Sequence, residues 1–168
     1  MDPNLKLSEF VKLKEVTKSD TAIRAGIDNS PTEEHLDNLK TLCTKVFDPL
    51  RKHFNRPIGI SSGYRSKALN EAVKGASLTS QHCKGEAIDI DADIFDNITN
   101  KELFNYIKDN LEFDQLIYEY PNKNGEPAWI HVSYNEGKNR KQILIAYKKN
   151  GKVIYLTYSE ENVKFASK

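Results

Sequence analysis

The spacing of apolar positions changes along this chain, and the change predicts its elements. Leu36, Leu39, Cys43, Val46, Phe47, Leu50 and Phe54 recur at helical spacing, so one face of a long helix is expected to be buried. Ser30 as cap, Pro31 at the first helical position and Glu33 as the reciprocal acid predict where it starts. Pro49 removes a backbone donor inside it and predicts a bend. Residues 1–28 hold shorter amphipathic pieces, Leu7, Phe10, Val11 and Leu13, then Ala22, Ile23 and Ile27, expected to wrap the core.

After Pro57 the pattern shortens. Ile58 to Ser62 is β-prone and followed by Gly63, and Ser66 caps a brief helix through Leu69, Ala72 and Val73, closed by Gly75. Ala87 to Asp91 alternates apolar and acidic residues as a strand does. Thr99 and Glu102 form a capping box for a helix with Leu103, Phe104, Ile107 and Leu111 on one face. Gln115–Glu119, Trp129–Tyr134 and Ile143–Tyr147 read as strands. Asn150-Gly151 then predicts a type I′ hairpin into Val153–Tyr158. Helices first and a mostly antiparallel sheet later make an α+β domain. One domain is expected over residues 1–168, with 1–28 as an N-terminal wrap and 135–168 as a C-terminal β-hairpin and tail.

Charge narrows the partners. Lys plus Arg less Asp plus Glu is 25 − 24 = +1 over 168 residues, which argues against affinity built on phosphate neutralisation, so no nucleic acid is expected. No apolar run has the length of a membrane helix, and the N-terminus lacks a signal peptide's layout. The expectation is a chain made in the cytoplasm, with no membrane partner, acting as a monomer. Cys43 and Cys83 are two free thiols in this reading, Cys43 within a helix core.

The candidate chemistry lies in two stretches. In Ser80-Gln81-His82-Cys83-Lys84-Gly85-Glu86-Ala87-Ile88-Asp89 a turn histidine is followed, after a bend at Gly85, by a strand carboxylate. In Trp129-Ile130-His131-Val132-Ser133 an isolated histidine sits in an apolar strand. Asp89, His82 and His131 together would give zinc three protein ligands and leave one position open, as catalytic sites do. A packed, hydrogen-bonded His131 and a surface His82 are the plainer alternatives. A calcium loop at Asp89-Ile90-Asp91-Ala92-Asp93 fails, because Ile94 and Asn100 stand where Gly and Glu are required.

The segment Ser80–Asp89 resembles the S-x-H-x-x-G-x-A-x-D signature of the M15 peptidases, the zinc D-Ala-D-Ala peptidase family. The likeness extends to Ser62-Gly63-Tyr64-Arg65-Ser66 upstream and Trp129-Ile130-His131-Val132-Ser133 downstream. It is closest to the phage-associated branch and implies the fold shared with the hedgehog signalling domain, whose active-site-like glutamate strand resembles Phe113–Glu119. The resemblance implies Zn2+ on His82, Asp89 and His131, Arg65 near the substrate, and Ser80 and Trp129 in the pocket. The family glutamate three residues before the last ligand is absent, because Ala128 stands there. Glu119 is the expected general base, with loop residue Glu126 as the alternative.

The implied activity is hydrolysis of the peptide stem of bacterial peptidoglycan by a phage-type endolysin or virion lysin. Such a chain would act on the wall after release, or within a virion. A D-Ala-D-Ala carboxypeptidase or dipeptidase, and a catalytically silent hedgehog-like zinc-binding module, are the competing readings.

Overall fold

The computed structural model describes residues 1–74, 76–95 and 98–168. Two short helices, α1 (Leu13–Thr17) and α2 (Asp20–Ala25), lie in the N-terminal segment. Leu7, Val11, Leu13, Val16 and Ala22 are buried, but Ile23 is exposed. Adjacent helical positions are about 100° apart, so with Ala22 facing inward its neighbour turns away. The buried Asp48 carboxylate ties this segment down, accepting hydrogen bonds from Ser8 Oγ at 2.7 Å and the Glu9 N–H at 3.0 Å.

Helix α3 (Glu33–Leu42) begins two residues later than the Ser30 cap implies. Thr32 is the cap, its hydroxyl accepting from the His35 N–H. The Ser30 N–H instead donates to Asp28 Oδ1 at 2.9 Å, which holds Ser30 in a turn ahead of the helix, and Pro31 precedes the cap. The disturbance expected at Pro49 is absorbed before it. The helix widens into a π-helical turn at Cys43–Phe47 and resumes as α4 (Asp48–Phe54), with Pro49 in the first turn of α4, where a missing donor costs little. Leu36, Leu39, Leu42, Cys43, Val46, Phe47 and Leu50 are buried, and Phe54 packs half-buried against them.

Strand β1 (Gly59–Ser62) and helix α5 (Lys67–Ala72) follow, α5 capped by Ser66. Gly75, the expected end of that helix, lies outside the described residues. Next come β2 (Ala87–Asp91) and α6 (Asn100–Asn110), the latter with the full Thr99/Glu102 capping box. Strands β3 (Gln115–Glu119), β4 (Trp129–Ser133), β5 (Gln142–Lys149) and β6 (Lys152–Thr157) complete the sheet. Asn150 and Gly151 have φ of 52° and 76°, the two left-handed positions that a type I′ turn needs. The expected C-terminal tail is instead a helix, α7 (Glu160–Ala166). Ser159 caps it and Glu160 and Glu161 occupy its first turn, where their charge suits the helix dipole.

Among the described residues the strands form one sheet in the order β1-β2-β4-β3-β5-β6. All neighbours are antiparallel except β3 and β5, so the fold is α+β with a mostly antiparallel sheet. Alternation divides the sheet's faces. Ile88, Ile90, Ile130, Val132, Leu116, Tyr118 and Ile145 are buried in the core with the helices. Burying a side chain of that size contributes about 1.5–3 kcal/mol relative to leaving it exposed. The residues between them, Asp89, His131, Ile117 and Glu119, face the opposite side and line a cleft.

Candidate active site

Strand register assembles the site. Asp89 pairs across to His131, and His131 to Ile117, so carboxylate and imidazole emerge side by side from β2 and β4. His131 Nδ1 lies 2.9 Å from Asp89 Oδ1. His82 arrives from a 3-10 turn at Gln81–Lys84, which ends on Gly85 at φ 71°. Its Nε2 lies 3.3 Å from Asp89 Oδ1 and 3.2 Å from His131 Nδ1. A Cβ on Gly85 would meet the His35 carbonyl oxygen at 2.3 Å, so this turn requires glycine for both its φ and its packing.

The outer nitrogen of His82 is held as well. Nδ1 donates to the Gly63 carbonyl at 2.6 Å, which leaves Nε2 as the inward-facing lone pair. Gly63 itself packs on backbone, since a Cβ there would lie 2.4 Å from the Val16 carbonyl oxygen. Two imidazole nitrogens and one carboxylate oxygen thus stand within 4.8 Å of one another. Mixed nitrogen and oxygen donors in this number fit zinc, whereas calcium and magnesium call for oxygen shells. His82 and His131 are buried, and Asp89 nearly so.

Electrostatics agree with a cation site. Burial opposes ionisation of Asp89, but the His82 and His131 rings outweigh it and hold the carboxyl well below the usual range. Burial pushes the His82 imidazole down, against the pull of Asp89, so the ring favours its neutral, ligating form. The Glu119 carboxyl is pushed up to about 7 by burial, with His131 pulling it down and Asp89 pushing it further up.

A family model described as Peptidase M15 matches residues 9–133. The chain belongs to the Peptidase M15 family. No curated protein matches it. Peptidase M15 is a family of zinc peptidases, and the His82, Asp89 and His131 group is the cluster of metal-binding side chains found among the described residues.

The other sequence-expected residues fall around that group. Arg65, Ser80, Glu119 and Trp129 all line the same cleft as His82, Asp89 and His131. Asn29 fixes the loop that carries Arg65: its amide donates to the carbonyls of Thr17 and Tyr64 and accepts from the Ser66 N–H at 2.7 Å. Arg65 has one side-chain partner, Ser80 Oγ at 3.5 Å, and its buried Nε has none among the described residues. Glu119 stands directly opposite Trp129 and diagonal to His131 in the β3–β4 pair. The Ala128 N–H donates to the Glu119 carbonyl at 2.8 Å, closing the hairpin.

Glu126 is not brought to the cleft. Its charge acts on Tyr118, whose ring packs on Phe104 and Tyr158 at the helix side of the sheet.

Cleft residues that the sequence did not single out come from two places. Asp114 accepts from Gln81 Nε2 at 2.8 Å and takes the Arg140 fork at 2.8 and 2.6 Å, which ties the turn bearing His82 to the segments leading into β3 and β5. Lys148 and Tyr155 come from β5 and β6, beyond the matched segment. The Phe113–Glu119 run carried Asp114, but only the fold reveals its partners.

Proposed function

We propose that this chain is a zinc-dependent peptidase that hydrolyses the peptide stem of bacterial peptidoglycan, as a phage-type endolysin or virion lysin does. The observation that carries the reading is the convergence of His82, Asp89 and His131 beside Glu119 in one open cleft. His82, Asp89 and His131 would hold the ion, and zinc bound there would supply Lewis acidity.

The remaining work belongs to the chain's own side chains. Glu119 takes a proton from the attacking water onto its carboxylate, then returns it to the leaving amine. Burial in the cleft raises the Glu119 carboxyl above the usual carboxylate range, which favours its holding a proton. Arg65, whose buried Nε has no partner among the described residues, offers its guanidinium to a substrate carboxylate or to the carbonyl oxygen as charge develops. Trp129 and Ser80 flank the bound peptide.

The cleft's size favours a polymer over a free dipeptide. It encloses about 1420 Å³, beyond the ~300–1,000 Å³ typical of small-molecule pockets.

Turbidity of permeabilised bacterial cells tests the reading. Zinc-loaded chain should clear the suspension, a chelator should stop the clearing and added zinc should restore it. Cleavage of free D-Ala-D-Ala with walls left intact would instead assign a dipeptidase, and neither activity would assign a silent module.

A further inference from the structure

The cleft has a wall that the family match does not cover. Residues 9–133 carry the match, while β5 and β6 lie beyond it and extend the sheet past β3. Their register is informative. Glu119 pairs with Ala146 across the parallel β3–β5 contact, and Ala146 pairs with Tyr155 across β5–β6. Trp129, Glu119, Ala146 and Tyr155 therefore form one row across four strands, on the face that bears the metal-binding group. Ala146 is small and buried, so no large side chain stands between Glu119 and Tyr155 in that row.

Tyr155 leaves 53% of its surface exposed at the cleft, so its ring is open to a bound molecule. Burial raises the Tyr155 phenol, and the charges of Glu119 and Asp89 raise it further.

A second feature adjoins the row. Tyr120, directly after Glu119, has a φ of 47°, the left-handed region that bulky residues seldom adopt. Its N–H donates to the Ala146 carbonyl at 2.8 Å, and its ring leans on Trp129 with centroids 5.0 Å apart. Lys148 Nζ sits 5.6 Å from the centre of the Tyr120 ring and forms no ion pair among the described residues. The strained backbone thus presents a cation on an aromatic platform, with its charge uncommitted, at the cleft edge.

We propose that the β5–β6 hairpin is a substrate-recognition wall, in which Lys148 and Tyr155 determine specificity by taking a side-chain carboxylate of an acidic peptide. This rests on the peptidase reading above. Lys148 supplies the charge and Tyr155 a ring and a hydroxyl, while Glu119 beside them disfavours any placement that brings the carboxylate into the row itself.

Two peptides serve as probes: a pentapeptide ending in D-Ala-D-Ala with a free D-glutamate carboxylate, and the same peptide with that carboxylate amidated. Trp129 is the chain's sole tryptophan and lines the cleft, so its fluorescence reports binding without requiring hydrolysis. The stopped-flow amplitude is read on the zinc-loaded full chain before turnover. The acidic peptide should bind more tightly than its amide. Lys148→Ala should weaken only the acidic peptide, by about 3–5-fold, the scale of an exposed ion pair.

Tyr155→Ala should weaken both peptides by about 10-fold through lost apolar contact. Tyr155→Phe should weaken only the acidic one. Equal affinities for the two peptides in every variant would overturn the hairpin assignment alone. A chain that binds neither peptide would overturn the peptidase reading with it.

Discussion

The Gly63 carbonyl accepts a hydrogen bond from His82 Nδ1 at 2.6 Å, so the residue before the Arg65 loop also sets which nitrogen of His82 faces Asp89. The tautomer of one candidate ligand is therefore fixed by the backbone of a separate stretch, Ser62–Ser66, and by the contact of Gly63 with Val16.

Gly63→Ala is expected to damage both fold and metal affinity. Its Cβ would press on the Val16 backbone, and overpacking of this kind costs about 1–3 kcal/mol. The shifted carbonyl would release His82, and losing such an outer partner typically weakens metal binding ~10–100-fold. Thermal melts and zinc titrations on the same variant check the two effects. Unchanged zinc affinity would show that the Gly63 carbonyl does not orient the ligand.

His131→Ala should abolish stoichiometric zinc. Elemental analysis of the unsubstituted chain after chelator is removed should give about one equivalent, consistent with three protein ligands and an open position. Full metal content in the variant would remove His131 from the ligand set.

Arg65→Ala should separate stability from turnover. The guanidinium makes one long contact with Ser80, so its loss should leave the melting temperature nearly unchanged. Turnover should fall by ~10²–10³-fold if it stabilises developing charge. A matching collapse in stability would assign Arg65 to a structural role.

Asp114→Asn should make stability depend less on pH. The Arg140 fork holds the Asp114 carboxyl below its ordinary range, against the opposing effect of burial. The folded state then binds fewer protons than the unfolded chain, so stability rises with pH in this window. The contribution is present above the unfolded value near 3.8 and is lost as pH falls through the folded one. Hydrogen bonds to a charged group contribute about 1.5–3 kcal/mol, so the variant should be weaker by that order at neutral pH and nearly equal to the parent in strong acid. Denaturant melts across pH measure the difference; a constant gap would contradict it.

Much of this arrangement was legible in sequence because local periodicity encodes it. Alternation in Ala87–Asp91 put Asp89 on the face opposite to Ile88 and Ile90, Gln115–Glu119 read as a strand, and the hairpin between β3 and β4 follows from adjacency along the chain. The Thr99/Glu102 box and the Asn150-Gly151 turn are likewise short-range signals. The parallel pairing of β3 with β5 is not. It joins Glu119 to Ala146 across a long separation, and nothing local specifies which strand occupies that edge. Lys148, Tyr155 and the Asp114–Arg140 fork therefore carry no local signal in the sequence. The Ser30 and Thr32 caps show a finer limit: two hydroxyls flank one proline, and only the Asx turn at Asp28 decides between them.

The central claim is tested most directly by mass spectrometry of purified peptidoglycan incubated with the zinc-loaded chain and with its Glu119→Gln variant. The unsubstituted chain should release stem fragments carrying a new amine and a new carboxylate at one peptide bond. The variant should keep its zinc while the rate drops ~10²–10⁴-fold, as loss of a general base predicts. Intact muropeptides after exposure to the fully loaded chain, or an undiminished rate in Glu119→Gln, would contradict the account.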